Sequence, residues 1–308
     1  MSAIQLDRVT KTFNAQTAVD DVTLDVPEGA IYGFIGPNGS GKTTTIRMIM
    51  NILVPDRGRV TVLGHPAQSA IRDDIGYLPE ERGLYKRMTV RQVLRYYGQL
   101  KGRSVAALDP AITAWLTRLQ LAEWADKRVQ TLSKGMSQKV QFISTVIAKP
   151  RLLILDEPFS GLDPVNADTL RDAVLALRRE GTTIVLSTHD MATAERLCDR
   201  ICMIFRGRKV LDGSLDEIQA QHGQDIVRVR TAGGAAVLAG RPGVAAVVDV
   251  GNFQDIKLQG DPQQFLQALL QVTTVQHFEV KKPSLHDIFV DIAGPTADEL
   301  RRDAGVQA

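Results

Sequence analysis

The chain has 308 residues, 44% hydrophobic and 23% charged, with a formal net charge of +2, which excludes wholesale disorder and a polybasic protein, so no nucleic-acid partner is expected. No apolar run reaches the roughly 18 residues that a membrane helix needs, and the start Met1-Ser-Ala-Ile-Gln-Leu-Asp-Arg carries no apolar signal core. Cys198 and Cys202 are the only cysteines, which excludes a disulfide framework and fits a soluble chain of a reducing cytosol. Ala30 to Ile35 is an apolar run leading into Gly36 and reads as a buried strand. Lys42 to Leu53 follows as a helix, with Ile46, Ile49, Met50 and Leu53 at helical spacing. Pro55-Asp-Arg-Gly58 is a turn and Arg59 to Leu63 a strand. Thr89 reads as the cap of a helix carrying Val90, Val93, Leu94 and Tyr97 on one face. Ala111 to Trp124 is a helical stretch in which Trp115 and Trp124 are packing residues. Leu152 to Leu155 and Thr182 to Ser187 are buried strands, separated by a helix from Val165 to Arg179 that Gly181 stops. Alternating strands and helices predict an α/β core.

The pattern changes after a short capped helix starting at Ser214 and a linker, Gln221-His-Gly-Gln. Asp225–Arg230, Val244–Val250 and Gln254–Gln259 alternate like half-exposed strands. Asp261-Pro262 opens a helix bearing Phe265, Leu266, Leu269 and Leu270. Val275–Val280 is another strand, and Pro283-Ser284 opens a last short helix. The expected organisation is a first domain over 1–220, a ferredoxin-like α+β accessory domain over 224–294, and a frayed polar tail over 295–308.

Gly36-Pro-Asn-Gly-Ser-Gly-Lys-Thr43 matches G-x-x-x-x-G-K-[ST] between a buried strand and a helix, where a phosphate-binding loop must lie. Gly36, Gly39 and Gly41 let the backbone wrap closely and aim N–H groups at phosphate oxygens, and the helix N-terminus adds its partial positive charge. Lys42 supplies a point charge to the β- and γ-phosphates, and the Thr43 hydroxyl suits magnesium. Arg151-Leu-Leu-Ile-Leu-Asp156-Glu157 is an apolar strand ending in two carboxylates. Asp156 suits the hydrated magnesium and Glu157 the attacking water. His189, in Ser-Thr-His-Asp after the next strand, is a candidate only in that company.

Taken together, these residues resemble the ATP-binding cassette (ABC) ATPases. Leu132-Ser133-Lys134-Gly135-Met136 resembles the family signature L-S-G-G-Q, about 90 residues after the loop and about 20 before Asp156. Ser160-Gly-Leu-Asp163 is similar to the D-loop, Gly76-Tyr-Leu-Pro79-Glu80 to the Q-loop strand and turn, His189 to the switch histidine, and Phe13 to the aromatic that stacks on adenine. The resemblance implies a P-loop ATPase core with an antiparallel β subdomain and a helical subdomain over about 82–148. It implies ATP held by Phe13, by Gly36, Pro37, Asn38, Gly39, Ser40, Gly41, Lys42, Thr43 and Thr44, and by Asp163, with Ser133 and Gly135 coming from a partner cassette. It implies Mg2+ on Thr43, Asp156 and Glu80, with Glu157 and His189 catalytic. It also implies a head-to-tail dimer, of two copies of this chain or with a second ABC chain. That dimer would drive a separate transmembrane permease, docked near Glu80–Met88, from the cytoplasmic face of the membrane. Lys134, Met136 and Glu80 depart from the common pattern. With Lys282-Pro-Ser-Leu-His-Asp-Ile-Phe289 they resemble the ABC-2 exporters of sodium-efflux and drug-resistance type. A soluble ABC ATPase uncoupled from transport is the alternative. It would carry two cassettes or a long coiled coil, and this chain has one loop motif and no heptad run.

Overall fold

The computed structural model describes residues 1–294 apart from Ala15, Ala70, Ile71, Arg82 and 223–225. The expected tail over 295–308, half of the linker and the first residue of the helical subdomain lie outside the described residues. The chain divides into two compact units, Met1–Ser214 and a second beginning at Leu215.

In the first unit the strands are β1 (Ser2–Phe13), β2 (Gln16–Pro27), β3 (Ile31–Ile35), β4 (Arg57–Val62), β5 (His65–Pro66), β6 (Ile75–Leu78), β7 (Leu152–Asp156), β8 (Thr183–Thr188), β9 (Arg200–Phe205) and β10 (Arg208–Gly213). The helices are α1 (Lys42–Ile49), α2 (Val90–Leu100), α3 (Val105–Arg118), α4 (Lys134–Val146), α5 (Pro164–Arg179) and α6 (Met191–Leu197). One sheet has the order β2-β1-β4-β5 and is antiparallel; the other runs β10-β9-β3-β8-β7-β6. In the second sheet β9, β3, β8, β7 and β6 are parallel and only the edge strand β10 runs against them. Every residue of β3, β7 and β8 is buried, which is why each carries an unbroken apolar stretch at its centre.

Alternation along β7 divides the core. Leu152 and Ile154 pack with Tyr32, Phe34 and the apolar residues of β1, β2 and β4, while Leu153 and Leu155 pack with the helices. Helix α2 carries the expected cap, with Thr89 and Gln92 forming a reciprocal capping box. The helix read from Lys42 to Leu53 stops at Ile49, because Asn51 turns left-handed at φ 52°. The stretch read from Ala111 to Trp124 begins earlier, at the Ser104 cap, continues through Pro110 and ends at Arg118. Trp115 packs edge-on against Phe142 at 5.9 Å. Both core clusters use only residues before Ser214. Residues 1–214 alone are therefore expected to fold cooperatively and bind ATP, as a thermal melt followed by nucleotide titration would show. An insoluble product would mean that the following segment completes this core.

The second unit contains α7 (Leu215–His222), β11 (Ile226–Thr231), β12 (Val244–Asp249), β13 (Gln254–Leu258), α8 (Pro262–Leu270), β14 (Val275–Lys281) and α9 (Leu285–Ala293). Its antiparallel sheet has the order β12-β13-β11-β14, the ferredoxin-like arrangement, but a 3-10 turn at Gly234–Val237 stands where the first helix would be. Val227, Val229, Ile256 and Leu258 on one face pack against Phe265 and Leu269 of α8. The helix α7, placed on sequence at the end of the first domain, belongs with this unit. Its Gln219 donates to Pro283 O at 2.8 Å, and Asp216 pairs with Lys282 at 2.7 Å. Among the described residues, no helix is long and apolar enough to cross a membrane.

Candidate nucleotide site

The loop Gly36–Gly41 leaves β3 at its carboxyl end and enters α1, at the sheet edge where open α/β folds bind ligands. Its backbone is held in a shape that only glycine fits. Gly36 has φ 148° and a Cβ there would lie 2.1 Å from Ile204 O; Gly41 has φ 110° and its Cβ would lie 2.4 Å from Ala18 O. Gly41 caps α1 without any side-chain hydrogen bond, so no cap side chain satisfies the first amides of the helix. Lys42, only 6% exposed, folds over this loop and donates to Gly36 O at 2.7 Å and Pro37 O at 3.1 Å. Burial pulls its ammonium below the ordinary lysine range, and the carboxylates of Glu157, Asp156 and Glu80 pull it back up. The buried Ser40 Oγ has no hydrogen-bond partner among the described residues.

Beside the loop lies a cleft of about 420 Å³, lined by Phe13, Gln16, Thr17, Asn38, Lys42, Thr43, Thr44 and Arg206 among others. Phe13 is 44% exposed, with the Lys11 ammonium 5.6 Å from its ring centroid. A glycine-shaped loop at a helix start, a buried cation, an orphaned hydroxyl and an exposed aromatic ring fit a nucleoside triphosphate.

Asp156 ends β7, fully buried, and Glu157 follows at 9% exposure. Burial raises the Asp156 carboxyl above the ordinary range; Glu157 and Glu80 add to the rise and Lys42 opposes it. Glu157 sits at φ 48°, strained for a non-glycine residue, with its N–H donating to Ser187 O at 2.9 Å. Its carboxylate is held from two sides. Oε1 accepts from the His189 backbone N–H at 2.9 Å and lies 2.7 Å from His189 Nδ1, and Oε2 accepts from Thr188 Oγ1 at 3.2 Å. Sequence reasoning found Glu157 and His189 but not Thr188, which no motif marks. Glu80, just beyond β6, is exposed and acts electrostatically on both Lys42 and Asp156. Tyr77, also missed, shares that neighbourhood; burial and then Asp156 push its phenol up to about 12, so it stays protonated. The donors offered by Thr43, Asp156 and Glu80 are all oxygens, as magnesium prefers. Among the described residues no three His, Cys, Asp or Glu side chains make a metal cluster, so phosphate oxygens would complete such a shell.

Ser133, Gly135 and Asp163 come together elsewhere. Ser133 caps α4, accepting from Met136 N at 3.2 Å, and Asp163 caps α5, accepting from Asn166 N at 3.0 Å. Hydrogen bonding from Asn166 holds the Asp163 carboxyl below its ordinary range. Asn166 Nδ2 lies 3.2 Å from where a Gly135 Cβ would be, and the Lys134 ammonium lies 2.4 Å from a Gly161 Cβ position. Buried Gln138 donates to Pro158 O at 3.1 Å. The signature-like turn and the D-loop-like turn are thus fastened side by side. None of Ser133, Gly135 or Asp163 lines the cleft that holds Phe13 and Lys42. Asn166 and Gln138 are positioning residues that sequence reasoning did not single out, although Asn166 stands three residues after Asp163, at the spacing of a cap.

A parallel sheet carrying this loop, with two acids at the end of a neighbouring strand, defines a P-loop ATPase. The family description "ABC transporter" matches residues 19–160, and "ATP-binding protein DrrA1-3-like, C-terminal domain" matches residues 213–293. The ABC transporter ATP-binding protein YhaQ of Bacillus subtilis is 42% identical over 94% of this chain and 98% of its own length. The Nod factor export ATP-binding protein I of Rhizobium sp. is 35% identical over 95% and 97%, and the daunorubicin/doxorubicin resistance ATP-binding protein DrrA of Streptomyces peucetius is 32% identical over 96% and 94%. A solved ATP-binding subunit of an ABC transporter, 33% identical, superposes with a TM-score of 0.67 over 71% of this chain and 93% of that one. The chain belongs to the ABC transporter ATP-binding proteins, ATPases that serve membrane transporters.

Proposed function

We propose that two copies of this chain, or this chain and a second ABC subunit, close head to tail around ATP and so drive a separate membrane permease that exports a substrate. The observation that carries the dimer is the separation just described. One chain has a cleft lined by its phosphate loop and Phe13, while Ser133 and Gly135 stand outside it, which supports their being supplied by a second cassette. Phe13 would stack adenine, and the loop and Lys42 would bind the phosphates. Magnesium, when bound to Thr43 and Asp156, would neutralise phosphate charge. Glu157, fixed by Thr188 and His189, would orient the attacking water and take its proton. His189 would also meet the γ-phosphate, its side chain being 55% exposed. Because these contacts exist only in the closed state, ATP binding and hydrolysis would alternate two conformations. Analytical ultracentrifugation with ATP is the test; a hydrolysis-deficient chain that stays monomeric in saturating ATP would overturn the dimer.

Export is supported by the relatives named for Nod factor export and drug resistance. Docking of the permease near Glu80–Met88, at the cytoplasmic membrane face, is supported by Tyr85. It is half exposed and rests edge-on against Tyr96 at 5.3 Å, whereas Leu84 packs inward. Tagged chain is expected to co-purify a polytopic membrane protein, and Tyr85→Asp to release it.

Glu80, read as a magnesium ligand, predicts a specific phenotype. A carboxylate there repels the triphosphate and attracts the cation. Glu80→Gln is expected to bind metal-free ATP more tightly and to need more magnesium for half-maximal turnover. Superimposable magnesium titrations of the two proteins would show that Glu80 does not reach the metal.

A further inference from the structure

Strands β9 and β10 are joined by a two-residue turn, Arg206-Gly207, with Phe205 and Arg208 paired across it. Both turn residues have positive φ, 51° and 80°, as a type I′ hairpin turn requires. Asn or Asp suits the first of these positions, and a long side chain is strained there. The position is nevertheless arginine, and it lines the same cleft as Phe13, Lys42 and Thr43. The turn is anchored on both sides. Gly207 N donates to Ser40 O in the phosphate loop at 2.9 Å, Asp20 N donates to Gly207 O at 2.8 Å, and Arg208 pairs with Asp20 at 2.7 Å. A Cβ on Gly207 would come within 3.0 Å of Ala18 O, so the turn sits tight against β2. The Arg206 guanidinium stacks over the Phe205 ring, 4.9 Å from its centroid.

We propose that Arg206 is a nucleotide-binding residue whose guanidinium contacts the phosphate chain of the ATP held by the phosphate loop of the same chain. This rests on the nucleotide reading of the cleft and adds to it a second cation that the loop motif does not include. Phosphate is the partner that a planar fork of N–H donors fits, and the bond to Ser40 O places the turn beside the phosphate loop. The strained backbone is then a cost retained for the side chain.

The test is equilibrium binding of ATP, ADP and GTP to the full chain as wild type, Arg206→Gln, Arg206→Lys, Arg206→Gly and Lys42→Ala. Arg206→Gln is expected to weaken all three nucleotides about 10-fold, with Arg206→Lys in between, because the contact is to phosphate and charge-assisted. Arg206→Gly relieves the positive φ while removing the side chain. The same loss in this variant, with an unchanged or higher melting temperature, separates the contact from any damage to the turn. Unchanged affinities in the arginine variants with a normal loss in Lys42→Ala would overturn the role of Arg206 alone. A loss confined to ATP, sparing GTP, would make it a base contact and also overturn the proposal. No loss in any variant would remove the phosphate site itself and this inference with it.

Discussion

Glu157→Gln is expected to reduce ATP turnover by about 100- to 10,000-fold, the usual cost of losing a positioned base, while ATP still binds. The local structure explains why glutamine is the right probe. Its Oε1 can keep the 2.9 Å bond from the His189 backbone. Its Nε2 can donate to Thr188 Oγ1, which already accepts from Asp190 N at 3.0 Å and has a lone pair to spare. The Thr188 hydroxyl then exchanges a donated bond for an accepted one, a small cost beside the loss of a positioned base, so the fold is expected to survive while the basic oxygen is lost. Under the dimer reading the variant accumulates closed around ATP, visible as a doubled mass in light scattering. Near-normal turnover would sink the assignment of the base.

Lys42→Ala is expected to act earlier, weakening ATP binding itself. The ammonium is buried against Gly36 O and Pro37 O, so its removal loses both the charge offered to phosphate and a brace on the loop. A charge-assisted contact of this kind contributes about 1.5–3 kcal/mol, or roughly 10- to 100-fold in Kd. Titration calorimetry at fixed magnesium measures it. Equal affinities would show that this loop is not where the phosphates bind.

Much of this arrangement was legible before the fold was seen, for physical reasons. The phosphate loop is a local device, fully specified by eight consecutive residues, and β3, β7 and β8 announce themselves because burial on both faces demands unbroken apolar runs. The two longest strands, β1 and β2, were not read directly. Their alternation is broken by register shifts near Arg8 and Asp21, both at positive φ, so that Leu6 and Val9 face one core at odd spacing. Pro110 hid the start of α3 for a similar reason, since proline inside a helix imitates a boundary. In the site, residues that act through the chain's own backbone or from another strand escaped. Thr188 has no motif, because what selects it is the carboxylate of Glu157 that folding brings to it.

The exposed ring of Phe13 has a consequence for nucleotide choice. Lys11 sits over the ring, and Phe13 lines the cleft. A base held through a ring face is held whatever atoms its edge carries, since every purine presents a similar π surface. If Phe13 holds the base as proposed, the ring itself contributes no selection by pairing pattern. Adenine and guanine nucleotides would compete on nearly equal terms, and the motor would run on whichever the cell keeps more abundant. Its fuel would be set by metabolism, through concentration, and not by the shape of the protein.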